Sequence, residues 1–186
     1  YGTADESDKG LRFYLFAAEH PLDVLPRYYA LTGIPLLPAP WALGPWIWRN
    51  EHRDQAQVFD DIVKIRQLDL ATSAIWLDRP YATKVNSFDF EKARFPEPEK
   101  IYDRAHAAGL RVALWHSPYL ESGTQPYLAE AEKEGYFPKK VSLLLNGWSN
   151  PIDFTNPKAV TAWKKWLGNY MALGTEGFKL DFGEDI

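Results

Sequence analysis

Residues 156–181, NPKAVTAWKKWLGNYMALGTEGFKLD, decide the fold. Asn156 is suited to capping a helix and Pro157 to its first turn, where no backbone N–H is needed. Val160, Trp163, Leu167 and Tyr170 then recur on one helical face, and Gly174 supplies a stop. Gly177 to Asp181 follows as a short strand. The stretch is one helix feeding one strand, and the same unit recurs upstream. Trp41 to Trp48 reads as a buried apolar strand, followed by helical spacing of Val58, Phe59, Ile62, Val63 and Ile65. Ser73 to Leu77 is a second strand. Pro98 to Ala108 is a helix with Ile101, Ala105 and Ala108 on one face and Gly109 after it, and Arg111 to Trp115 is a third strand. Thr124 is placed to cap a further helix with Leu128 and Ala131 inward and Gly135 at its end. Tyr136 to Phe154 reads as an irregular insertion. Four such alternations predict a parallel sheet with helices outside, because parallel strands need crossover connections.

The chain has 186 residues, against roughly 250 for a complete (β/α)₈ barrel. It starts at Tyr1 rather than Met and ends abruptly at Ile186 after an acidic cluster, so it reads as an excised piece of a longer protein. Near the start, Leu11 to Ala18 has strand character. Asp23 is placed to cap a short helix through Leu31 that stops at Gly33, and Pro35 to Pro40 reads as a stiff linker.

Polar residues collect at the carboxyl ends of the strands: Arg49, Asn50 and Glu51, then Asp78, then His116, then Asp181 and Glu184. Active sites of parallel α/β folds lie at that end. Alternate residues of a strand share a face, which places Lys179 beside Asp181. A neighbouring cation favours the ionised carboxylate, the form a carboxylate nucleophile needs, and Gly183 lets the chain turn just afterwards. The same cluster also fits an ordinary solvated turn.

A net charge of −4 without a basic stripe argues against nucleic acid or an anionic membrane as a main partner. No apolar run reaches the roughly 20 residues that span a bilayer. With no cysteine there are no disulfides and no thiolate chemistry, and the compartment stays open. His20, His52, His106 and His116 lack ligand-like spacing, so neither a metal nor another cofactor is expected. The 8 Trp, 10 Tyr and 10 Phe suit a large core or a platform for sugar rings equally well.

Several spaced motifs resemble glycoside hydrolase family 31, the retaining α-glycosidases. They are Leu31-Thr32-Gly33, Pro40-Trp41-Ala42-Leu43-Gly44, Trp76-Leu77-Asp78, Phe95-Pro96-Glu97-Pro98, Leu114-Trp115 with Ser117-Pro118-Tyr119, Asp153-Phe154-Thr155-Asn156-Pro157, and the segment from Lys179 to Glu184. The resemblance runs from about Leu11 to Ile186 and implies the N-terminal half of a (β/α)₈ TIM barrel, about four β/α units over 41–186, truncated after strand 4. Residues 1–22 would be the remnant of a preceding β-sandwich domain and 23–40 a helix and Pro-rich linker. It implies Asp181 as the nucleophile, Glu184 as a supporting residue of its loop, and Lys179 as a contact to substrate or carboxylate. Asp78 would accept sugar hydroxyls and Trp115 would pack on a sugar face, although core packing fits Trp115 by itself. Trp48 and Arg79 join the substrate-binding set. His116 fits a substrate contact or a structural hydrogen bond equally.

Retaining hydrolysis needs a second carboxyl group roughly 5 Å from the nucleophile. In the resembled family it lies on a later strand, so this chain by itself is expected to be inactive, to need the rest of its barrel, and to associate through open sheet edges. α-Glucosidase members carry another acid two residues after the strand-two aspartate, where this chain has Asp78-Arg79-Pro80. They also read Asp-Met-Asn-Glu where it has Asp181-Phe182-Gly183-Glu184, closer to the α-xylosidase branch. The expected substrate is therefore an α-xyloside or α-glucoside, or an oligosaccharide of them. Arg79 leaves room for an anionic sugar and equally for a salt-bridged loop residue. Two alternatives remain: a barrel lyase or aldolase using Lys179 as its amine, and a non-catalytic carbohydrate-binding module using Trp46, Trp48, Trp115 and Trp148.

Overall fold

A computed structural model describes residues 13–139 and 150–183, and the chain divides into two compact units, residues 1–38 and 39–186. In the first, a 3₁₀ turn at Pro21–Asp23 leads into α1 (Val24–Thr32), with Gly33 beyond it at φ 85°. Asp23 holds the capping position without a side-chain bond, and the imidazole of His20 instead accepts the Leu22 N–H at 3.3 Å. The strand expected from Leu11 to Ala18 is not formed by residues 13–18. A strand exists by pairing, and no described strand pairs with this segment.

The second unit holds β1 (Trp46–Arg49), β2 (Ala74–Leu77), β3 (Arg111–His116) and β4 (Gly177–Leu180) in one sheet of order β1-β2-β3-β4. All three pairings are parallel, as the alternation predicts. The intervening helices are α2 (Gln55–Gln67), α3 (Glu99–Ala107), α4 (Tyr127–Glu134) and α5 (Pro157–Leu173). Asp54 caps α2 by accepting the Gln57 N–H at 2.9 Å, and Asn156 caps α5 by accepting the Lys158 N–H at 3.0 Å. Gly174 ends α5 at φ 116°.

The register sorts the side chains. Ile47 pairs with Ile75 and Ile75 with Val112, while Leu77 pairs with Leu114 and Leu114 with Phe178. These positions form one face and join Val58, Ile62, Ile65, Ile101, Trp163 and Tyr170 of the helices in a single core. The opposite face carries Trp46, Trp48, Trp76, Trp115 and Lys179, since residues alternate between faces.

Three expectations shift. Pro40–Leu43 is a 3₁₀ turn, so β1 begins only at Trp46, because Pro40 and Pro45 cannot donate to a ladder. As a terminal strand of the sheet, β1 is also half open, with Trp48 47 % exposed. The Thr124 hydroxyl donates to the Glu121 carbonyl instead of capping α4, which starts after Pro126, because a residue preceding proline is disfavoured in helical geometry. In α5 the buried face is made by Ala159, Ala162, Trp163, Trp166 and Tyr170, with Val160 and Leu167 at its margin.

Gly44 lies where the chain enters β1 against the start of β2. A Cβ there would overlap the Ser73 hydroxyl and stand 2.8 Å from Ser73 Cβ, while the Ser73 N–H donates to the Pro45 carbonyl at 2.8 Å. Gly44→Ala is expected to destabilise by about 1–3 kcal/mol, as overpacking does. Gly168→Ala, in the middle of α5 with open space around it, should instead be neutral or stabilising by up to about 1 kcal/mol. Denaturant midpoints of the two variants check the pair.

Candidate active site

Asp181 directly follows β4, and its backbone N–H still bonds the His116 carbonyl at 2.9 Å, so the end of the sheet fixes its position. Trp115, on the neighbouring strand and in register with Lys179, donates its indole N–H to Asp181 Oδ2 at 3.0 Å. Lys179 donates to the same oxygen. The Phe182 N–H reaches Oδ1 at 3.2 Å, with Phe182 at φ 55°. Among the described residues, two donors on Oδ2 and one on Oδ1 leave Oδ1 the less committed oxygen. Partial burial pushes the Asp181 carboxyl up, but the bonds from Lys179 and Trp115 outweigh it and hold the group below the usual carboxylate range. The side chain is one third exposed. It is an ionised, oriented carboxylate that another molecule can reach.

A second carboxylate is built the same way. Asp78 follows β2 and is nearly buried. Trp48 and Trp76 both donate to its Oδ2, at 2.8 and 3.3 Å, and the Arg79 N–H donates to Oδ1 at 2.9 Å. The two indoles stack with centroids 5.5 Å apart and planes 24° from parallel. The Arg79 guanidinium lies 5.9 Å from the centre of the Trp115 ring, so the Asp78 and Asp181 groups meet through it.

The loop after β2 is tied down along its length. Tyr81 donates to the Trp115 carbonyl at 3.0 Å, and the Glu121 carboxylate accepts the Val85 N–H at 2.7 Å. The buried Asn86 amide bonds Ser117 and the Tyr119 carbonyl. Arg94 bonds the carbonyls of His52, Arg53 and Pro80 at 2.7, 2.7 and 3.0 Å. Sequence reasoning missed these supports. For Trp76 a signal was present: it stands two residues before Asp78, hence on the same face.

Of the residues singled out from sequence, Trp48, Asp78, Arg79, Trp115, Lys179 and Asp181 come together at one end of one sheet face. His116 does not join them. It follows Trp115 and so points to the helix side, fully buried among the rings of Phe88, Trp163 and Phe178 at 5.3, 5.3 and 5.8 Å. Burial takes its imidazole down to about 3, so it packs as a neutral ring. Trp115 is 3 % exposed. Its indole N–H is given to Asp181. Arg49 also turns to the helix side, where it grips Asp61 of α2 at 2.9 and 2.6 Å with His52 on the same carboxylate at 3.2 Å. Burial pushes the Asp61 carboxyl up, but the Arg49 bonds prevail and its pKa falls below the usual value. Glu184 and Trp148 lie outside the described residues.

The family model for the glycosyl hydrolases family 31 TIM-barrel domain matches residues 35–186. Alpha-xylosidase XylQ of Lactiplantibacillus pentosus is 28% identical over 188 residues, covering 96% of this chain and 24% of that protein. An alpha-glucosidase of Saccharolobus solfataricus is also 28% identical, over 95% of this chain and 26% of that protein. A crystal structure of a GH31 alpha-xylosidase from a soil metagenome, complexed with xylose, superimposes with a TM-score of 0.77 at 25% identity, covering 90% of this chain and 26% of that one. The chain thus spans about a quarter of the length of the relatives it matches. Its four parallel strands carry aspartates just past the carboxyl ends of β2 and β4, and over most of its length the chain belongs to glycosyl hydrolase family 31 as part of that family's TIM-barrel domain.

Proposed function

We propose that the protein carrying this chain is a retaining α-glycoside hydrolase with Asp181 as its nucleophile and α-xylosides as its preferred substrates. The observation that carries the reading is the Asp181 carboxylate, with Lys179 and Trp115 on Oδ2. Oδ1 is then the oxygen that attacks the anomeric carbon as the bond to the leaving oxygen breaks. The leaving oxygen takes a proton from a second carboxylic acid, which then deprotonates the water that releases the sugar. That second group would come from a later strand, so the 186 residues by themselves would not turn over. Glu184 would support the nucleophile's loop. With its Nζ committed to Asp181, Lys179 serves this reaction better than Schiff-base chemistry.

The preference for xylosides rests on Asp78. A carboxylate accepts about four hydrogen bonds, and among the described residues three are taken, by Trp48, Trp76 and the Arg79 N–H. One acceptor position is left for substrate. A hexopyranoside presents two hydroxyls at its non-reducing end, on C4 and C6, where a xylopyranoside presents one. Buried polar groups left unpaired are what a site discriminates against. On p-nitrophenyl α-xyloside, α-glucoside and α-galactoside, the full-length protein should show kcat/KM at least about tenfold higher for the xyloside. Equal rates on all three would remove the Asp78 argument, and no release from any would remove the α-glycosidase reading.

A further inference from the structure

Arg94 lies in the loop between β2 and α3, outside the residues gathered at the site, yet its guanidinium spans two loops at the carboxyl end of the sheet. Nε and Nη2 donate to the carbonyls of Arg53 and His52, between β1 and α2, both at 2.7 Å, and Nη1 donates to the Pro80 carbonyl at 3.0 Å. The Arg94 carbonyl accepts the Gln55 N–H at 2.9 Å, a further tie to the start of α2. Pro80 is the second residue after Asp78. Between them Arg79 gives its N–H to Asp78 Oδ1 at 2.9 Å, so the Asp78-Arg79-Pro80 segment is fixed at one end by β2 and at the other by Arg94. Tyr81 keeps bonds of its own, from its hydroxyl to the Trp115 carbonyl and from the Glu91 N–H to its carbonyl. Losing the Arg94 fork is therefore a local event. Three carbonyls from two loops suit a planar guanidinium with several N–H groups in fixed directions, and a lysine ammonium, a single point with rotatable donors, does not match them.

We infer that Arg94 is a positioning residue for Asp78: by holding Pro80 it sets the Arg79 N–H on Asp78 Oδ1, and so turns the carboxylate's remaining acceptor position to a substrate hydroxyl. The inference rests on the α-glycosidase reading above. Its test is a ratio within one protein, which a loss of folded enzyme does not move. On the full-length protein the ratio is kcat/KM for p-nitrophenyl α-xyloside over that for its 4-deoxy analogue, which lacks the C4 hydroxyl read above as the partner of Asp78. Wild type should favour the xyloside. Arg94→Lys should cut that preference about tenfold, lowering the rate on the xyloside while the rate on the analogue changes by less than about twofold. Equal loss on both substrates, or a wild type indifferent to the hydroxyl, overturns the inference. If the full-length protein cleaves neither substrate, the function reading falls separately, and amide hydrogen exchange decides whether Arg94 positions Asp78. Arg94→Lys should then speed exchange of the Arg79 amide at least about tenfold and leave the amides of β3 as in wild type. An unchanged Arg79 amide, or faster exchange in β3 as well, overturns the inference and leaves Arg94 a brace of the fold.

Discussion

Asp181→Ala in the full-length protein is expected to lower kcat on p-nitrophenyl α-xyloside by at least about 10⁴-fold, on the scale of removing a catalytic nucleophile. The fold should survive, because the side chain is one third exposed and its partners Lys179 and Trp115 keep contact with solvent or neighbouring rings. If Asp181 is the nucleophile, removing its carboxylate vacates the space on the face of the anomeric carbon opposite the leaving group. Azide, small and anionic, can enter there and attack directly, giving the glycosyl azide of inverted configuration. Partial rescue by azide, with that product identified, distinguishes a nucleophile from a carboxylate that only binds substrate. If azide gives no rescue and the residual rate stays within tenfold of wild type, Asp181 is not the attacking group.

What was legible in the sequence is what period and spacing encode. The 3.6-residue recurrence in α5 and its Asn-Pro start gave that helix, and strand alternation put Lys179 and Asp181 side by side, where the structure holds them. The same alternation, carried one residue past Trp115, assigns His116 to the opposite face; only its position at a strand end suggested a site residue. Long-range ties were not legible. Asn86 adopts φ 59° and reaches across 31 residues to Ser117, a contact without local periodicity. The double use of Asp78 by two indoles depends on β1 and β2 being in register, Trp48 against Trp76, which single-strand patterns do not contain. Trp115 shows the same limit: its residue type suggests a platform, and only its register with Lys179 reveals a hydrogen-bond donor to the Asp181 carboxylate.

The second large effect concerns pH. Burial alone would raise the Asp181 carboxyl, and the Lys179 bond is the first of the interactions that bring it below the usual value. Lys179→Met removes both the hydrogen bond and the charge while keeping most of the chain's bulk, so the folded-state pKa of Asp181 rises. A nucleophile must be ionised, and the acid limb of kcat/KM reports its pKa in the free enzyme. The acid limb should therefore move to higher pH in the variant. The loss should be largest on the acid side and smaller near pH 7, where the carboxyl is again mostly ionised. Trp115→Phe, which removes a neutral donor to the same oxygen, should move the limb in the same direction by less. A Lys179→Met profile lowered by the same factor at every pH would mean that Lys179 holds substrate and leaves the carboxylate untouched. A limb displaced to lower pH would contradict the arrangement at Oδ2 outright, because a cation withdrawn from a carboxylate can only make it easier to protonate.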